Sequence, residues 1–228
     1  GTAVELGGPR PRALLSVLAL EVGAVVALDR LIDVLWDGDE PDGARNAVQV
    51  YVSRLRKALG EGGRALRAGP GGYVLDLPEN AVDAVRFRRL ADDGHVLLRE
   101  GRPQAAREVL GQALALWRGE ALTDLGAAGE GLRAGLEAGR LAAGTALMRA
   151  GLELGHHHAL VSELEDLVRR HPLDEQLVVL LMTALYRAGR QADALAAYAA
   201  AARRLDDELG IDPGTELRRL HEAVLRQE

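Results

Sequence analysis

The stretch "ARNAVQVYVSRLRKAL", Ala44 to Leu59, decides the fold. Set at about 100° per residue, it gathers Ala44, Ala47, Val48, Tyr51, Val52, Leu55, Ala58 and Leu59 into one arc of roughly 140°. The opposite arc carries Asn46, Gln49, Val50, Ser53, Arg56 and Lys57, with Arg45 and Arg54 on its borders. The apolar arc predicts a helix with one face in a core. The other arc offers amide, hydroxyl and guanidinium donors beside an apolar group, which is what base edges and phosphates accept. Gly60 predicts the helix end.

Moving outward, Arg64 to Ala68 reads as a strand, Gly69-Pro-Gly-Gly72 as a turn and Tyr73 to Leu77 as the return strand. Upstream, the acidic run Asp37 to Asp42 reads as a turn whose last residue is placed to cap the following helix. Before it, Asp29 to Trp36 predicts a helix with Leu31, Ile32, Leu35 and Trp36 inside. Gly23 separates this from an earlier helix carrying Leu14, Leu15, Val17, Leu18 and Leu20, and a short β-type segment, Ala3 to Leu6, opens the chain. Three helices and a β-hairpin make a winged helix-turn-helix. The hairpin is the wing, with Arg64 and Arg67 placed to reach DNA backbone or minor groove.

Charge sharpens this reading. The 228 residues carry a formal net charge of −6, which argues against a polyanionic partner. Its distribution argues the other way: Glu21 to Asp42 holds seven acids and a single Arg, whereas Arg45 to Arg67 holds six basic residues and only Glu61. Affinity for nucleic acid follows the side chains that meet phosphates, not the sum over the chain.

Several classes are excluded. There is no Cys, hence no disulfide, thiolate metal site or cysteine nucleophile. The longest apolar stretch, Ala13 to Leu28, contains Glu21 and Gly23 and falls short of the roughly 20 residues a membrane span needs. With no secretory leader pattern, the chain reads as cytoplasmic. Gly69-Pro-Gly-Gly72 lacks a following Gly-Lys-Ser/Thr and sits in a hairpin, so it is no phosphate loop. Consecutive His156, His157 and His158 point in different directions and read as a turn between helices, not as metal ligands. No catalytic motif is found, and neither a cofactor nor a metal is expected.

From Val82 onward the pattern is helical throughout, with Phe87, Leu90, Leu97, Leu98, Leu114, Trp117, Leu164, Leu167, Leu181, Leu185, Tyr198 and Leu205 as the expected core. "LLREGRPQAAREVL" (Leu97 to Leu110) and "LYRAGRQADALAAY" (Leu185 to Tyr198) repeat one another, with Gly101 and Gly189 equivalent and a weaker copy at Gly155. Gly155 and Gly189 are 34 residues apart, the tetratricopeptide period, but Gly101 and Gly155 are 54 apart, so the array is irregular. The expected fold is therefore mainly α: a winged helix-turn-helix over 1–78, with Pro78 to Ala81 as linker, then an all-α tetratricopeptide-like domain over 79–228.

Four segments in order, "PRPRALLSVLAL", "LDRLIDVLWDGDEPDGARNAVQVYVSRLRKALG", "AGPGGYVLDL" and "LYRAGRQADALAAYAAAARRLDDELGIDPGTELRRLHEAVLRQ", resemble the Streptomyces antibiotic regulatory protein family. The resemblance implies an OmpR-type winged helix joined to a bacterial transcriptional activation domain. It further implies a transcriptional activator of biosynthetic gene clusters that binds direct repeats in promoter DNA, two protomers together, and contacts RNA polymerase. By position it places Arg45, Asn46, Gln49, Val50, Ser53, Arg54 and Arg56 where the recognition helix meets DNA, and Trp36 and Tyr73 at phosphate-facing positions. Trp36 remains divided between core filler and N–H donor, Tyr51 between core packing and a phosphate contact, and Arg54 between DNA and an acid of the second helix. The family opens with a longer sheet than the one strand expected here, so the start reads as truncated, and a fragment of a larger regulator stays an open reading. A competing reading is a repeat-type interaction scaffold whose winged helix no longer binds DNA; the acidic net charge motivates it.

Overall fold

The computed structural model describes residues 4–122 and 129–227. Contacts divide the chain into two compact units, residues 1–92 with 112–141 and residues 93–111 with 142–228.

The first unit opens with α1 (Pro9–Leu20), whose prolines occupy the first turn, where a missing amide donor costs no helical bond. It buries Ala13, Leu14, Val17 and Leu18. No strand forms over Val4 to Leu6, contrary to the sequence expectation; Ala3 lies outside the described residues. Gly23, at φ +80°, turns the chain back and donates its amide to Leu75 O at 2.9 Å. A two-residue strand the sequence did not reveal follows, β1 (Val26–Ala27), then α2 (Leu28–Trp36) and α3 (Ala44–Ala58). Asp42 does not cap α3: Gly43 holds the cap position at φ +86°, with no side-chain bond, and the Ala44 amide donates to Pro41 O at 3.0 Å. Val48, Val52 and Leu55 of α3 are at most 1% exposed and share one core with Leu14, Leu18, Leu31 and Leu66.

Beyond α3 the expected strand from Arg64 starts later. Gly60–Ala65 is a 3-10 turn, and the hairpin consists of β2 (Leu66–Gly69) and β3 (Gly72–Leu75). The sheet order is β1-β3-β2, antiparallel throughout, with Leu66 opposite Leu75 and Val26 opposite Tyr73. Proline's fixed φ at position 70 and Gly71 at φ +72° supply the signs a type II turn requires. Gly72 is required for a different reason, since a Cβ there would stand 1.9 Å from Val26 O. The residues read as linker hold a short 3-10 turn, Glu79–Ala81.

The remaining helices are α4 (Asp83–Arg99), α5 (Pro103–Leu114), α6 (Glu130–Glu153), α7 (His157–Arg170), α8 (Glu175–Arg187), α9 (Gln191–Leu209) and α10 (Thr215–Arg226). In the second unit α7 packs on α8, and α8 on α9 and α10. The repeat read from sequence is visible in the backbone at three turns. Gly101, Gly155 and Gly189 each have positive φ, and each donates its amide to the carbonyl three residues back while the next residue donates five back. This is the double bond pattern of a glycine-terminated helix, closed the same way each time. The irregular spacing comes from α6, at 24 residues twice the length of α5. Phe87, Leu164, Leu167, Leu181, Leu185 and Leu205 are buried as expected, whereas Leu90, Leu97, Leu98, Leu114, Trp117 and Tyr198 are only half-buried. Alanines 106, 113, 143 and 194 take fully buried positions among the helices. Leucines on a helix flank can leave part of their surface in water, but an alanine at a close contact cannot.

Candidate nucleic-acid interface

The polar arc of α3 is open along its length. Arg45, Asn46, Gln49, Val50, Ser53, Arg54, Arg56 and Lys57 are all exposed, and Val50 keeps 45% of its surface accessible in the middle of that face. An apolar residue so placed suits contact with a thymine methyl. The face is rigid because its reverse side is anchored: Val48 and Leu55, both 0% exposed, set the helix rotation. The inner arc is as read except at Ala58, which is exposed where the helix ends. Tyr51 is half-buried and stacks on Trp36 with ring centroids 6.3 Å apart.

Trp36 is 8% exposed, with Arg10 over its ring at 5.3 Å, so most of its indole is core packing. Tyr73 is half-buried and packs against the same core. Both aromatic positions implied by the resemblance thus serve the fold first, because each lies where a helix or sheet closes on the core.

The arginines are sorted by partners that no local pattern reveals. Arg45 pairs with Asp29 of α2 at 2.5 Å, and Arg67 of β2 pairs with Asp76 beyond β3. Both pairs are solvent-exposed, each side chain at least 52% accessible, so they are weak and can exchange a carboxylate for a phosphate. Of the two acids of α2, Asp29 takes Arg45, and Arg54 is exposed. The amino end of α3 borders a hollow lined by Asp29, Asp33, Glu40 and Asp42, while Arg56, Arg64 and Arg67 line a groove between its far end and β2. The interface is therefore polarised, acidic at one end and basic at the other. Sequence reasoning missed Asp29 and Asp76; separations of 16 and 9 residues leave no signal to find them by.

Nothing resembling a metal site competes with this surface: among the described residues no three His, Asp or Glu side chains gather as ligands. His156 precedes α7 whereas His157 and His158 belong to its first turn, so only the first of the three histidines lies in the turn the sequence suggested. Among the described residues no helix is long and apolar enough to cross a membrane.

Comparison with known proteins agrees with this architecture. The family model for the C-terminal domain of transcriptional regulatory proteins matches residues 1–75, and that for the bacterial transcriptional activator domain matches residues 82–225. The chain is 42% identical over 228 residues to the transcriptional regulator RedD of Streptomyces coelicolor, covering 95% of this chain and 64% of that protein. It is 37% identical over 240 residues to the regulatory protein DnrI of Streptomyces peucetius, covering 99% of this chain and 87% of that protein. A solved structure of Mycobacterium tuberculosis EmbR in complex with a low-affinity phosphopeptide superposes with a TM-score of 0.92 at 40% identity, over 100% of this chain and 62% of that one. The chain thus spans just under two thirds of RedD and of the EmbR chain, and most of DnrI. These relatives are regulators and not enzymes. With an OmpR-type winged helix followed by a bacterial transcriptional activator domain, the chain belongs to the Streptomyces antibiotic regulatory protein family of transcriptional activators.

Proposed function

We propose that the chain activates transcription by binding promoter DNA with α3 in the major groove and the β2–β3 wing against the adjacent backbone. The observation that carries this is the exposed face of α3, from Asn46 through Gln49, Val50 and Ser53 to Lys57, on a helix whose other side is fixed in the core. Asn46, Gln49 and Ser53 are the base-facing donors and acceptors, and Val50 the apolar contact. Arg45, Arg54, Lys57, Arg64 and Arg67 meet phosphates. The family supports the finer parts: direct-repeat operators occupied by two protomers, contact with RNA polymerase through the rest of the protein, control of a biosynthetic gene cluster, and action in the cytoplasm.

The test is fluorescence anisotropy on duplexes taken from neighbouring promoters, across a salt series. If those five cations each meet one phosphate, log affinity falls with log salt at a slope of about −4 to −5. The acidic net charge favours the rival reading of a scaffold without DNA binding. Failure to bind any promoter duplex at low salt would favour that rival.

A further inference from the structure

Arg56 stands on the polar arc of α3, yet its side chain is already engaged. Its Nε donates to Leu66 O at 2.8 Å, linking the last turn of α3 to the first residue of β2. The position of that carbonyl in the sheet gives the bond its meaning. β2 is an outer strand, paired with β3 alone. The Asp76 amide donates to Ala65 O at 2.8 Å, and in an antiparallel ladder bonded and non-bonded pairs alternate. Arg67 and Val74 are therefore a bonded pair, while Leu66 and Ala68 turn their backbone groups to the free edge. Leu66 O is an edge acceptor that no strand covers, and Arg56 covers it with a charged donor. The main chains are close as well: a Cβ on Gly63 would stand 2.2 Å from Arg56 O, so the 3-10 turn lies directly on the end of α3.

We propose that Arg56 is a positioning residue that ties the wing to the recognition helix so that the two meet DNA as one body, and that it does not read a base. This rests on the DNA-binding reading above. Arg64 and Arg67 share the groove with Arg56, so the same tie that holds β2 also sets where the wing arginines stand relative to α3. Without it the strand edge is free to swing, and Arg67 loses its fixed distance from the helix.

Two measurements on the full chain decide the matter. In the absence of DNA, Arg56→Ala should raise hydrogen exchange at the Arg67, Val74 and Asp76 amides by about five- to tenfold, as expected for losing one hydrogen bond at the protein surface, with α1 unchanged. Arg56→Lys, whose ammonium can donate to the same carbonyl, should restore most of the protection. On promoter duplexes at fixed salt, Arg67→Ala should weaken binding in the wild-type background but change it less than about twofold when Arg56 is already Ala. The preference for the promoter duplex over a shuffled duplex should survive Arg56→Ala.

Unchanged exchange in the wing, additive effects of the two substitutions, or a collapse of that preference in Arg56→Ala would each overturn the proposal. Arg56→Lys that restores the exchange protection but loses the preference for the promoter duplex would likewise indicate a bidentate base contact. Faster exchange in a protein whose wild type binds no duplex would leave the tie standing and remove the DNA-binding reading instead.

Discussion

Replacing Gly72 by Ala tests whether the sheet is built on backbone contact. The added Cβ would stand 1.9 Å from Val26 O, 2.8 Å from Val26 C and 3.0 Å from Ala27 Cα. All three are main-chain atoms, so no rotamer relieves the clash, and an ordinary carbon–oxygen contact of about 3.3 Å requires β1 to retreat by more than about 1 Å. Such a shift breaks the bonds that hold this segment on β3, among them Leu28 N to Gly71 O at 3.0 Å and Gly23 N to Leu75 O at 2.9 Å. With the Val26–Tyr73 pair included, and about 1 kcal/mol for each bond, the loss is about 2–4 kcal/mol. At about 2–4 °C per kcal/mol for a chain of this size, melting should fall by about 5–15 °C. Both tryptophans, Trp36 and Trp117, lie in the first unit, so tryptophan fluorescence follows that unit alone. Gly71→Ala is the control: nothing lies within 4 Å of its added Cβ, and only the φ of +72° opposes it, which costs about 1–2 kcal/mol. A Gly72→Ala protein melting within about 2 °C of wild type, or above Gly71→Ala, would refute the steric argument.

Other outcomes follow from the packing and from one titrating group. Leu55→Ala, at a fully buried position of α3, should destabilise the first unit by about 3 kcal/mol in urea unfolding, whereas Ser53→Ala two residues earlier should change it by less than about 0.5 kcal/mol. Asp174 caps α8 by accepting from the Gln176 and Leu177 amides at 3.0 and 3.3 Å, so Asp174→Ala should cost about 1 kcal/mol, read from the circular dichroism melt. Burial, then the Arg187 guanidinium and the neighbouring His158 and His156, hold the His157 imidazole below its ordinary pKa of 6.5. The unfolded chain therefore takes up the proton first. The stability of the second unit should be full above about pH 6.5, decline as the pH falls toward the depressed value and level off below it. His157→Gln should remove that decline; an equal pH dependence in both proteins would exclude His157 as its source.

The sequence carried α2 and α3 to within a residue at each end, because each has a clear apolar face. The hairpin was legible from Gly69-Pro-Gly-Gly72, but its strands were misplaced by up to two residues, since Arg64 and Ala65 belong to a 3-10 turn that local pattern does not distinguish from a strand. β1 was invisible: two residues have no periodicity, and they are a strand only because β3 lies beside them. The glycine-closed helix turns at Gly101, Gly155 and Gly189 were legible because a left-handed helix end selects its residue locally.

The candidate interface divides the same way. Which side of α3 faces outward followed from the sequence alone, because rotation about a helix axis is fixed by which residues must leave water. What each charged residue on that side is free to do was decided only by the tertiary structure. Arg45 stands against Asp29, Arg67 against Asp76, Arg56 on the edge of the wing, and Trp36 inside the core. Those partners come from other elements, brought together by the packing of α2 and the sheet around α3. A one-dimensional pattern encodes the direction a side chain takes from its own backbone, not the group it meets there.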